Sequence, residues 1–146
     1  MKKKGFTLVE LLAVIAILAI LVIMALPAVL NMFTKARVDT FENEVKTIYR
    51  TAQQNYLLNG GAAVNYGNKA SGSTVCNALD MTGNASLKYY ISINGSGEVT
   101  KIEATNGTYY YSKTPASGKT GFEINEIDVP DTPLTSGTVT NCPAKS

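Results

Sequence analysis

The arrangement of apolar residues predicts an α+β fold. A long N-terminal helix, apolar in its first half and amphipathic in its second, should pack on a three- to four-stranded antiparallel sheet. Three observations predict it. Residues 11–30 read LLAVIAILAILVIMALPAVL, twenty residues without a charge. Between Val38 and Tyr56 apolar residues return at steps of three and four. Beyond residue 87, short alternating runs are parted by Asn-Gly and Gly-rich turns.

The first element follows from length. Twenty apolar residues are enough to cross a bilayer as a helix. Lys2, Lys3 and Lys4 precede them and hold the N-terminus in the cytoplasm, so the remainder lies outside. An ordinary secretory signal has an apolar region of about 7–15 residues ending at a small-x-small site. Here the run is longer, and Leu26 or Ile23 would occupy the inner small position. A plain uncleaved anchor would have no need of Glu10, which sits just inside the apolar segment in FTLVELLAV.

Glu10 is therefore informative. A carboxylate at a helix centre costs about 2.5–3.5 kcal/mol on insertion scales, and less toward the edge. Such a charge needs a cation. The nearest candidate is an α-amine created by a cut before Phe6, because positions i and i+4 share a helix face. The pair can form within one chain or between neighbours. A charge among apolar helices is best neutralised by the next subunit, which favours the second arrangement.

The second half of the helix carries Val38, Phe41, Val45, Ile48, Ala52 and Tyr56 on one face. Lys35, Arg37, Asp39, Glu42, Lys46 and Arg50 lie between them. This is the pattern of a helix with one side to cover. Asn59, Gly60 and Gly61 end it. A helix from Phe6 to about Leu58 would reach about 80 Å at 1.5 Å per residue. Pro27 removes one backbone donor and should bend or loosen the middle, or leave only a harmless kink.

Residues 59–86 read as a connecting loop of small and polar residues, with a possible helical turn from Val75 to Met81. The sheet is expected within residues 87–130. Leu87–Ile93 forms one strand, followed by the turn Asn94-Gly95-Ser96-Gly97. Glu98–Ala104 forms a second, although Val99 and Ile102 break strict alternation. Asn106-Gly107 predicts a two-residue hairpin leading to Thr108–Lys113. Phe122–Val129 is a fourth candidate whose phase shifts between Ile124 and Ile127, suggesting a bulge or an end. Residues 131–146 form a C-terminal loop. Tyr89, Tyr90 and Tyr109–Tyr111 are expected to pack in the strands rather than form an adhesive patch. Glu123, Glu126, Asp128 and Asp131 read as a solvated acidic edge, since calcium needs converging oxygens and EF-hand spacing is lacking. The Asn84, Asn94 and Asn106 triplets fit glycosylation by pattern, and turn chemistry explains them as well.

Cys76 and Cys142 are the two cysteines. Their spacing fits no zinc site. Export would make a disulfide between them the natural reading; two buried free thiols are the alternative. With no histidine there is no Ser/His or Cys/His pair. No phosphate loop or dinucleotide fingerprint occurs. An enzyme is not expected, nor a cofactor or metal. Net charge is +2, and without the three leading lysines ten basic residues face eleven acidic ones. A near-neutral chain gives no basis for nucleic-acid binding.

The start of the chain resembles a known family. Gly5 followed by FTLVELL and an apolar helix is similar to the class III signal of type IV pilins and pseudopilins. The resemblance covers about the first thirty residues; beyond them only the layout agrees. It implies cleavage between Gly5 and Phe6 by a membrane peptidase that also methylates the new N-terminal Phe6. Gly5 would suit a subsite with no room for a side chain. Residues 1–5 would be the leader, residues 6–30 the transmembrane and filament-core half-helix, and residues 31–58 the amphipathic half. Glu10 matches the family's assembly glutamate. Pro27 matches a recurrent proline in a stretch that loosens on packing into a filament. The disulfide is comparable only in part to the one bounding a surface loop in many pilins.

The resemblance further implies a structural subunit of a type IV pilus. It would wait in the cytoplasmic membrane with its C-terminal region outside, then be lifted by an assembly platform and motor into an extracellular homopolymer. A pseudopilin of a type II secretion or competence system is the alternative within this class. Two readings of other classes are a membrane-anchored binding module and a secreted domain cut after the apolar run.

Overall fold

The computed structural model describes residues 5–68, 76–81, 83 and 85–140. Helix α1 spans Leu8–Leu58. Four strands follow: β1 (Val64–Gly67), β2 (Lys88–Ile93), β3 (Val99–Thr105) and β4 (Tyr110–Lys113), with a 3₁₀ turn at Ile124–Glu126. They form one antiparallel sheet in the order β1-β2-β3-β4. The expected α+β architecture is present.

The chain divides into two compact units, Met1–Arg37 and Val38–Ser146. In the first, every described residue is exposed. In the second, α1 buries Val38, Phe41, Val45, Ile48, Tyr49, Ala52 and Tyr56. These are the residues of the periodic stripe, joined by Tyr49. They pack with Ile91, Ile93, Val99, Ile102 and Ala104 of the sheet in one core. Burial of each large apolar side chain stabilises by about 1.5–3 kcal/mol, and this holds the amphipathic half. The helix ends where Gly60 and Gly61 take φ of +80° and +77°. The Gly61 amide then donates back to the Tyr56 carbonyl at 3.2 Å.

Three expectations need correction. The segment 59–86 is not all loop, because Val64–Gly67 pairs with Ile93–Tyr90 as an edge strand. Residues 76–81 form no helical turn, and Asn77 bridges Tyr66. Phe122–Val129 is not a strand. Phe122 bridges Val99, and the chain then makes the 3₁₀ turn. That turn puts Ile124 and Ile127 three apart on one side, which is the phase shift read in the sequence. Finally, the Asn106 connection is a four-residue loop, since Thr105 pairs with Tyr110. The Asn106 side chain accepts the Thr108 and Tyr109 amides and holds both out of β4.

The broken alternation in β3 also has a cause. The register shifts between Ser92 and Ile93, so that Ile93 faces Val99 while Ile91 faces Ile102. The irregularity lets Val99 and Ile102, three apart, both enter the core. Tyr89, Tyr90 and Tyr111 are buried, as strand packing requires, and Tyr109 and Tyr110 are half-buried.

Candidate processing and assembly segment

The first unit brings Gly5, Phe6, Thr7 and Glu10 together at the start of α1. Thr7 is the residue before the first helical turn, and Glu10 is the third residue inside it. The Glu10 amide donates to Thr7 Oγ1 at 3.2 Å. In return, Glu10 Oε2 accepts the Thr7 amide at 3.0 Å and the Thr7 hydroxyl at 3.1 Å. This is a reciprocal capping box. It satisfies two backbone donors that a helix start leaves without partners. The Leu11 amide closes the first turn on the Thr7 carbonyl at 3.2 Å.

The sequence offered Glu10 the Phe6 amine of its own or a neighbouring chain. The structure adds Thr7 as a capping partner, which was not picked out from the sequence. A threonine three residues ahead of a glutamate, before an apolar run, is a spacing that could have found it. The donors that Glu10 holds in this chain come from Thr7. The Phe6 nitrogen is here a peptide nitrogen, because residues 1–5 are still attached.

Access to the cut position is open. A Cβ built on Gly5 would meet nothing within 4 Å. Phe6 is 83% exposed. Beyond it, Leu8, Val9, Leu11, Val14 and Ile17, which at about 100° per residue point to all sides of the helix, are exposed. The helix is long and apolar enough to cross a membrane. Its apolar surface fits membrane anchoring. Pro27 lies inside α1, which continues through it. Without an N–H at Pro27, the Ile23 carbonyl has no i+4 donor.

Of the other expected site residues, Cys76 is half-buried next to the Asn77 bridge on the β1 edge. Cys142 lies outside the described residues, as does the disulfide expectation that depends on it. The acidic residues near the C-terminus divide their tasks. Glu126 accepts the Glu123 amide at 3.2 Å and pairs with Lys119 at 3.4 Å. Asn94 Oδ1 accepts the Ser96 and Glu98 amides, which is turn chemistry.

Residues 1–26 match the Prokaryotic N-terminal methylation motif, the class III signal peptide of type IV pilins and pseudopilins. No curated protein and no solved structure matches the chain. In its first 26 residues the chain is similar to precursors of type IV pilins and pseudopilins. Such a signal implies processing by prepilin peptidase.

Proposed function

We propose that this precursor is a structural subunit of an extracellular type IV pilus, not an enzyme. Prepilin peptidase cuts between Gly5 and Phe6 and methylates the new Phe6 amine. The subunit is held in the cytoplasmic membrane by residues 6–30. An assembly platform and motor then lift it into a homopolymeric filament. Apolar half-helices bundle in the filament core through close packing, and the globular regions form the outer skin. Head-to-tail repetition of one contact gives an open filament. Pro27 would be the place where the helix yields on packing, and Cys76 and Cys142 would close the C-terminal region once exported.

The observation that carries this reading is the pairing of a matched processing signal with a carboxylate at the fifth position after the cut. After cleavage the Phe6 amine of an adjacent subunit becomes a cation for Glu10. The test has two parts. Mass spectrometry of the mature protein should find N-methyl-phenylalanine at position 6. Glu10→Val should insert and be cut, yet yield no filaments. Fibres of normal length and number from Glu10→Val would defeat the proposal, as would an intact Met1 in cells carrying the peptidase. A pseudopilin of a secretion or competence system would pass the first part but give short, sparse filaments.

A further inference from the structure

We propose that Glu44, in a cleft beside the second half of α1, receives a basic side chain from a second copy of this chain. The inference rests on the filament reading and names a contact between globular regions. The cleft has a volume of about 580 Å³. Leu79, Leu87 and Tyr89 form its apolar wall; Asn43, Glu44 and Thr47 form the polar side.

The polar groups around Glu44 already have partners. Asn43 Nδ2 donates to the Asp39 carbonyl at 2.9 Å, and Thr47 Oγ1 donates to the Asn43 carbonyl at 2.7 Å. The Tyr89 hydroxyl accepts the Leu79 amide at 2.8 Å. Glu44 differs. Its Oε2 is closed off from solvent and has no hydrogen-bond partner among the described residues. A carboxylate oxygen that has lost water without gaining a donor carries a penalty, and a donor arriving from outside would remove it. The terminal torsion of a glutamate is soft, so either oxygen can be turned to the cleft. A long basic side chain suits the rest, with its methylenes on Leu79 and Leu87 and its charged end at Glu44.

Charge complementarity points to a second copy as the source. Among the described residues three acids are matched, in the pairs Lys46–Glu42, Lys101–Glu103 and Lys119–Glu126. Lys35, Arg37, Arg50 and Lys88 are exposed and have no ion pair among the described residues. In a head-to-tail polymer each subunit both offers a basic side chain and presents a cleft. One sequence can therefore satisfy the unpartnered Glu44 oxygen at every step.

The test uses the full-length chain in cells that carry the peptidase and the assembly machinery, with sheared filaments quantified. Glu44→Gln keeps the side chain's shape and removes its charge. It should lower filament yield by about tenfold, because a contact repeated at every step is weakened. Processed subunit in the membrane should stay at the wild-type level, which separates assembly from folding. Glu44→Arg should abolish filaments, and one of Lys35→Glu, Arg37→Glu, Arg50→Glu or Lys88→Glu, combined with it, should restore them. Wild-type assembly by Glu44→Gln would overturn the inference. So would failure of all four reversals, the result expected if a free amine or solvent occupies the cleft. A wild-type chain that forms no filaments would defeat the filament reading itself, and this contact with it.

Discussion

Glu103 offers a stringent test of how the C-terminal segment is held. It lies on β3, between the core residues Ile102 and Ala104, and is only 5% exposed. Its side chain faces away from that core. There the chain near residue 140 covers it, with the Thr140 amide donating to Oε2 at 2.5 Å. Lys101 pairs with Oε1 at 3.0 Å and also donates to Thr140 Oγ1 at 2.9 Å. The Tyr110 hydroxyl reaches Oε1 at a longer 3.3 Å. Glu103→Ala removes the acceptor from Thr140, Lys101 and Tyr110 alike. An amide bonded to a charged acceptor contributes about 1.5–3 kcal/mol. The Lys101 side chain is 33% exposed, so water recovers most of its pairing and it adds at most about 1 kcal/mol. Tyr110 adds little at its distance. The expected loss is about 2–4 kcal/mol at neutral pH. The assay is urea unfolding of a soluble chain that starts near residue 34, with its cysteines left as found.

The pH dependence sharpens the same test. Burial pushes the Glu103 carboxyl up, but the hydroxyl and amide bonds from Thr140 and the Lys101 ammonium outweigh it. The carboxyl is held below the ordinary glutamate range. A carboxylate with a lowered folded pKa contributes stability that is complete above its unfolded pKa. That stability is lost as pH falls through the folded value. The gap between wild type and Glu103→Ala should therefore narrow in acid. A gap under about 1 kcal/mol at neutral pH, or one that stays constant into acid, would refute the reasoning.

Two further outcomes are expected. Burial raises the Tyr89 phenol, with the Leu79 amide opposing. Its contribution is thus present below its unfolded value of about 10 and lost as pH rises through the folded one. Tyr89→Phe should cost about 1–3 kcal/mol by stranding the Leu79 amide and should flatten the alkaline fall in urea midpoint. An equally steep fall in that variant would contradict the assignment. Gly137→Ala places a Cβ 2.2 Å from Tyr110 Cγ, while the Tyr110 amide is fixed to the Leu134 carbonyl at 2.6 Å. Overpacking there should cost about 1–3 kcal/mol in the same assay, and an unchanged midpoint would show that the ring moves freely.

What could be read from the sequence was what short-range periodicity carries. The stripe from Val38 to Tyr56 repeats over five turns, so the buried face of α1 was legible residue by residue. The Gly60-Gly61 stop was legible because only glycine takes that backbone readily. Strand β1 was not, since four residues, Val64–Gly67, show no usable alternation and owe their state to β2 beside them. Glu103 in EVTKIEA looks like a solvated strand position. Its burial depends on Thr140, 37 residues away, and no local pattern encodes that. At the start of the chain the processing signal was plain, yet the Thr7 cap was not, because a charge in an apolar run points to a cation before it points to a neutral donor. Glu44 sits among polar neighbours on α1, and nothing local marks its unmatched oxygen.

The Thr7–Glu10 arrangement changes what the membrane must tolerate. The acid does not enter an oily layer bare, since two donors from its own chain already share its charge. A single subunit can then wait in the bilayer at lower cost, with no neighbour needed to stabilise it. Any incoming amine must compete with threonine for the same oxygens. On the proposed filament reading, assembly becomes an exchange of partners, so weakening Thr7 should make subunits costlier to store and quicker to commit.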